Sequence, residues 1–309
     1  MRRVLLTGAS GFVGAAVLRR MVAQEREVAV LLRASSDTRR IDDLLPHVAV
    51  VRGDLAHLDA VTDAIAAFGP DVVAHLAWQG VKGSDRNDPG QLENVMAAIT
   101  LQRVATAVGC TRMVGLGSQA EYGPQAGRIA EDAPTRPTTM YGAAKLATAI
   151  LLERACATAG QSFAWMRLFS SYGPGDDPSW MIPYLIERLL AGERPSLTAA
   201  EQVWDYIHVE DAAAAVVAMV DADATGVFNL GSGTAWPLRD IITTVRDAID
   251  PSLPLGFGEV PYRPDQVMHL EADVTRLRAA TGWAPAIALR EGLQAVVDHH
   301  RARRARPTS

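Results

Sequence analysis

Cysteine is nearly absent from the 309-residue chain. Cys110 and Cys156 stand alone, too few for a disulfide framework or for a four-ligand zinc site. Long apolar runs are missing as well. The longest, Ala212 to Val220, falls far short of the roughly 20 residues that cross a bilayer. The first residues, MRRVLLTGASG, have neither the apolar stretch nor the small-residue cleavage site of a secretory leader. Basic charge is not in excess: 30 Lys and Arg against 35 Asp and Glu leave a net −5, which argues against a general nucleic-acid binder. Four arginines crowd the last nine residues, and they read as a solvated basic tail (301–309) that complements a helix dipole. The expectation is a soluble, cytoplasmic protein with no nucleic-acid or membrane partner.

What is present supports a large packed core: 49% of residues are apolar and 21% charged. Short β-rich runs at Arg3 to Thr7, Val28 to Leu32, Val48 to Val51, Val72 to Leu76, Met113 to Leu116 and Phe163 to Phe169 alternate with helical patterns. The clearest helical stretches after the first are 57–68, 91–108 and 142–159. This alternation predicts an α/β fold, a doubly wound parallel sheet of Rossmann type with right-handed crossovers. After Tyr172, Gly, Pro and Trp thicken around Gly173 to Pro183 and again from Pro251 to Pro264, and loops with short elements are expected in those two segments. Val209 to Val220 reads as a helix and Val227 to Leu230 as a strand rejoining the main sheet. The expected division is 1–171 with 205–231 as a dinucleotide-binding domain, and 172–204 with 232–300 as a smaller, discontinuous substrate-binding domain.

The turn Gly8-Ala-Ser10-Gly11-Phe12-Val13-Gly14 sits between the first strand and the first helix. Glycines there let a backbone approach a pyrophosphate, and the helix N-terminus offers unpaired N–H groups. In this strand-then-helix context the motif predicts a dinucleotide site. At the end of the second strand a carboxylate would hold the adenosine ribose, whereas an arginine accommodates a 2′-phosphate. Arg33 stands there, with Arg39 and Arg40 soon after. NADP(H) is therefore the preferred cofactor, with NAD(H) possible. Asp54 and Leu55, ending the third strand, are candidates for the adenine side.

Tyr141 and Lys145 lie four residues apart on one helical face. A tyrosine near pKa 10 is a poor proton donor and acceptor at neutral pH, and a nearby ammonium is expected to lower that value. Ser118, at the end of a strand, points to the same mouth of the sheet and is suited to stabilise charge on a carbonyl oxygen.

With these residues in view, the sequence resembles the extended short-chain dehydrogenases/reductases, the NAD-dependent epimerase/dehydratase family. The resemblance rests on TGASGFVG, Ser118 followed by QAEYG, Tyr141 to Lys145, RLFSSYGPG, WDYIHVEDAA and FNLGSG, in order along nearly the whole chain. It implies a bound nicotinamide cofactor, contacted also through Leu76, Ala77 and Leu168, and a nucleotide-sugar substrate. It also implies catalysis by Ser118, Tyr141 and Lys145, and a homodimer packed through the helix bearing Tyr141 and the helix before it. The segments AWQGVKGSDRNDPGQLENV, GSQAEYGP and GPGDDPSWMIP are similar to the branch that reduces nucleotide-linked 4-keto-6-deoxyhexoses. Dehydratases of the family carry an Asp-Glu pair where this chain has Gln119 and Ala120, and four-epimerases typically carry an acid where Arg33 stands. The leading expectation is an NADPH-dependent NDP-hexose 4-ketoreductase acting on a substrate such as a dTDP-linked 4-keto sugar. Alternatives are a redox-neutral 4-epimerase with tightly held NAD, a reductase of a non-nucleotide ketone, and a catalytically silent cofactor sensor. Substrate contacts are expected from Lys82, Ser118, Gln119, Ser170 (where the family usually has Asn), Trp180 and Arg263, the last as the diphosphate grip. His75, His208 and His299-His300 have no companions at metal-ligand spacing, and no metal is expected.

Overall fold

The computed structural model describes residues 1–262 and 266–305. Seven strands form a wholly parallel sheet: β1 (Val4–Thr7), β2 (Val28–Leu32), β3 (Ala49–Arg52), β4 (Val72–His75), β5 (Arg112–Ser118), then β7 (Ser162–Leu168) and β10 (Gly226–Leu230). Their order is β10-β7-β5-β4-β1-β2-β3. β1, β2 and β4 are buried along their whole length, which explains why they read as unbroken apolar runs rather than as alternating ones.

One face of the sheet is covered by α1 (Phe12–Ala23) and α6 (Val209–Asp221), whose apolar sides share a core with Leu6, Val30 and Ala74. The other face is covered by α2 (Thr62–Phe68), α3 (Gln91–Ala107) and α4 (Met140–Thr158), around Leu5, Val73 and Trp165. A charged residue in this interior has a local reason. The Arg112 guanidinium donates to the carbonyls of Met219 and Ala224 at 3.1 and 2.8 Å and to Ser162 Oγ at 3.0 Å, closing the edge of the sheet where α6 ends.

A second sheet runs β11 (Ala235–Pro237), β9 (Val203–His208), β12 (His269–Ala272), β6 (Arg128–Ile129), with β8 (Ser170–Tyr172) pairing β9. Beside it, α5 (Met181–Leu190), α7 (Leu238–Ile249) and α9 (Leu289–Ala305) share a separate core with Ile182, Leu185, Ile241, Val245, Leu293 and Val296. Each such side chain, fully buried, contributes about 1.5–3 kcal/mol. The short α8 (Thr275–Thr281) packs beneath β10 and α6.

Two expectations need correction. The stretch expected as one helix over 57–68 is a 3-10 segment, Leu55–Val61, with a break at His57, followed by α2. The loop expected around Gly173 to Pro183 ends at Trp180, where α5 begins despite Pro183, while the described part of the second expected loop, 251–262, holds no helix or strand. Among the described residues, no helix is long and apolar enough to cross a membrane, and no cluster of three or more His, Cys, Asp or Glu could hold a metal ion.

Candidate active site

The strand order reverses between β1 and β4, and a crevice outside the C-terminal strand ends is where open α/β sheets bind ligands. Gly8 leaves β1 with φ +76°, and a Cβ there would lie 2.6 Å from Ala77 N. Leu76 and Ala77 thus press directly on the glycine turn; Leu76 N donates to Thr7 O at 3.2 Å. At Gly14 a Cβ would fall 2.0 Å from Gly8 O. Gly11 caps α1 without a side-chain partner, and the first turn holds no acid. The cradle therefore fits a pyrophosphate: room that any side chain would fill, below a helix end with positive character. Ser10 borders it, while Phe12 and Val13 turn partly into the core.

Of the three arginines beyond β2, two are engaged. Arg39 pairs with Asp37 and draws that carboxyl down to about 2; Arg40 donates to Gly175 O at 3.0 Å. Arg33 is exposed, its backbone N–H donating to Ser36 Oγ at 3.0 Å, and its guanidinium has no partner among the described residues. Asp54 caps the 3-10 segment by accepting from Ala56 N at 3.0 Å, and Leu55 packs toward the core.

Ser118 ends β5 and Tyr141 opens α4, whose cap is Thr139, accepting from Gly142 N at 3.1 Å. Both are buried, and the nearby Ser118 side chain works against the upward pull of burial on the Tyr141 phenol. Trp78 meets the Tyr141 ring edge-on, with centroids 6.2 Å apart, and the Arg86 guanidinium lies 4.8 Å from the ring centroid. Trp78 is itself tied down by its indole N–H donating to Gln91 Oε1 at 2.8 Å.

Here one expectation fails. Burial raises the Tyr141 pKa, and the cation that opposes the rise is Arg86. Lys145 Nζ is 6.0 Å from the Tyr141 ring; it donates to Leu116 O at 2.6 Å and sits 3.8 Å over the Trp78 ring. Its own burial brings it down to about 7, so it carries only part of a charge at neutral pH. His75 is held neutral by burial and by Lys145, down to about 3, while its Nδ1 contacts Thr7 Oγ1 at 2.8 Å.

The other candidates lie around this centre. Leu168 ends β7, half-buried, and Gln119 and Ser170 are also half-buried, Gln119 in the turn after Ser118 and Ser170 on β8. Lys82 is not a free cation: it forms an ion pair with Asp177 that joins two loops. Trp180 caps α5 and is 41% exposed. Arg263 lies outside the described residues. Sequence reasoning passed over Glu121, which is fully buried directly under Ser118 and paired with Arg167. The signal was the spacing Gly115-Leu116-Gly117 in a strand, which leaves space on one face for something large.

Residues 4–231 match the model of the NAD dependent epimerase/dehydratase family. The chain belongs to that family, the extended short-chain dehydrogenases/reductases. It is 30% identical to a UDP-glucose 4-epimerase of Mycolicibacterium smegmatis over 97% of this chain and 98% of that one. It is 28% identical to a dTDP-glucose 4,6-dehydratase of Streptomyces griseus over 95% and 92%. Among solved structures, the Thermus thermophilus UDP-glucose 4-epimerase in complex with NAD superposes with a TM-score of 0.83 at 27% identity, over 97% of this chain and 99% of that one.

Proposed function

We propose that the protein is a nucleotide-sugar 4-epimerase. The observation that carries this reading is a single buried proton relay, Ser118 with Tyr141, beside Gln119 and Ala120, where a dehydratase needs an acid and a base. Inversion at C4 asks only for one such relay. With Tyr141 as the phenolate, O4 gives it a proton as hydride leaves C4; the ketone so formed then takes hydride on the opposite face of C4 and the proton back from Tyr141 onto O4. A bound nicotinamide dinucleotide would supply the acceptance and return of that hydride, held by the Gly8–Gly14 cradle. Ser118 orients O4 and steadies the charge that grows on it; Lys145 contributes an ammonium to the same wall. The 30% identity to a UDP-glucose 4-epimerase over nearly the full length supports this reading over the ketoreductase expected first. NAD in a solved relative supports NAD over NADP. A homodimer through α3 and α4 is supported by Leu92, Met96, Ile150 and Leu151, which stand 58, 66, 53 and 48% exposed on those two helices.

The test is incubation of the purified protein with UDP-glucose, UDP-galactose and dTDP-glucose without added cofactor. Interconversion at C4 with no net change at 340 nm is expected. Tyr141→Phe should lower turnover about 100-fold or more with cofactor affinity little changed. Failure to interconvert any of the sugars overturns the epimerase reading. A second reading, NADPH-dependent reduction of a 4-keto sugar nucleotide, is favoured by the unpartnered Arg33 at the β2 end. Its signature is stoichiometric loss of NADPH with dTDP-4-keto-6-deoxyglucose, faster than loss of NADH.

A further inference from the structure

The wall behind Ser118 contains a complete buried polar clamp. Glu121 Oε1 accepts from Ser118 N at 2.8 Å and from Trp165 Nε1 at 2.9 Å, and its Oε2 accepts from Arg167 Nε at 2.7 Å. The carboxylate is 0% exposed. Strand register makes this possible: Gly115 lies opposite Trp165 and Gly117 opposite Arg167 across β5 and β7. A Cβ at Gly117 would fall 2.2 Å from Trp165 Nε1 and 2.4 Å from Glu121 Oε1, and one at Gly115 would fall 2.4 Å from the Trp165 ring. Two glycines on one face of β5 thus create the space for an indole and a carboxylate. Leu116, between them, gives its carbonyl to Lys145 Nζ.

Burying an ion pair is expensive, and replacing one with apolar groups is often neutral or stabilising. A charge kept in this place calls for another use. We propose that Glu121 is a positioning residue of the reaction, setting Ser118 against Tyr141 and serving as the counter-charge to Lys145. With its N–H locked onto Glu121, Ser118 keeps an extended backbone, and its Oγ accepts from Ala120 N at 3.2 Å while facing Tyr141. Lys145 Nζ lies 5.7 Å from the ring of Trp165, whose Nε1 donates to Glu121 at 2.9 Å, so carboxylate and ammonium flank one indole, and Glu121 raises the proton affinity of Lys145 against the effect of burial. The inference rests on the reading of Ser118, Tyr141 and Lys145 as the reacting set.

The chain has only two lysines, Lys82 and Lys145, so 13C labelling of lysine side chains gives two resonances whose titrations are read without any substrate. In full-length Glu121→Gln the Lys145 resonance should titrate about one pH unit or more lower than in wild type, with Lys82 unmoved. On whichever sugar nucleotide the wild type converts, kcat should fall roughly 10–100-fold with KM little changed, and the alkaline limb of the rate profile should move to lower pH. Because Glu121→Gln leaves Arg167 buried without its carboxylate, the double variant Glu121→Gln/Arg167→Met, free of that stranded charge, is measured beside it and should show the same lowered titration. An unmoved Lys145 titration in both folded variants overturns the proposal, as does unchanged kcat. If the wild type converts none of the sugars tested, the epimerase reading fails while the lysine titration still decides the role of Glu121.

Discussion

Lys145 is the residue whose burial is most consequential. Its ordinary value of 10.5 drops to about 7 in the folded protein, so between those values the unfolded chain binds more protons than the native one. Stability then rises as pH climbs from 7 toward 10.5, and the cost of the buried lysine is fully present below 7. Lys145→Met should therefore raise the melting temperature at pH 6 and lose that advantage by pH 10, as thermal unfolding at the two values will show. The same variant should lose most of its turnover. Tyr141 moves the other way: burial holds its proton on, which makes the neighbouring Arg86 a lever. Arg86→Met should shift the tyrosine-dependent limb of the rate profile to higher pH, since the cation that opposes the rise is gone.

The elements differ in how much of themselves they displayed in the sequence. Strands buried on both faces and separated by helices were legible as apolar runs, and Gly8 to Gly14 was legible because it stood between two such elements. Even the return of β10 to the main sheet could be read. The second sheet could not: β6, β8 and β11 have only two or three residues, too few for any period to register, and they owe their state to pairing with β9 and β12. That Ser118, Tyr141 and Lys145 lie near one another at the strand ends was legible from type and spacing. Glu121 was not, because one acid in QAEYG looks like a surface residue until β7 supplies Trp165 and Arg167 from 44 and 46 residues away. At the turn itself, a methyl group at Gly14 collides with a backbone carbonyl that has nowhere to go. Gly14→Ala should destabilise the fold by about 1–3 kcal/mol and abolish nicotinamide-dinucleotide binding in a titration calorimeter.

At the scale of the molecule, the exposed apolar side chains on α3 and α4 leave a surface that water solvates poorly. Met96→Glu with Ile150→Arg should convert a dimer to a monomer by light scattering, without altering the circular dichroism. A wild type that is already monomeric would remove the dimer proposal.

The sheet order also has a bearing on how the chain is made. β10 closes the edge of the main sheet beside β7, yet α5, β9 and α6 all precede it in sequence. During synthesis, β7 waits as an open, hydrogen-bond-hungry border until residue 230 has emerged, when β11, α7, β12 and α9 of the second sheet and its core are still to come. The main sheet is therefore closed before the second one is complete, and a nascent chain stalled before residue 226 presents neighbouring chains with a ready template for strand addition.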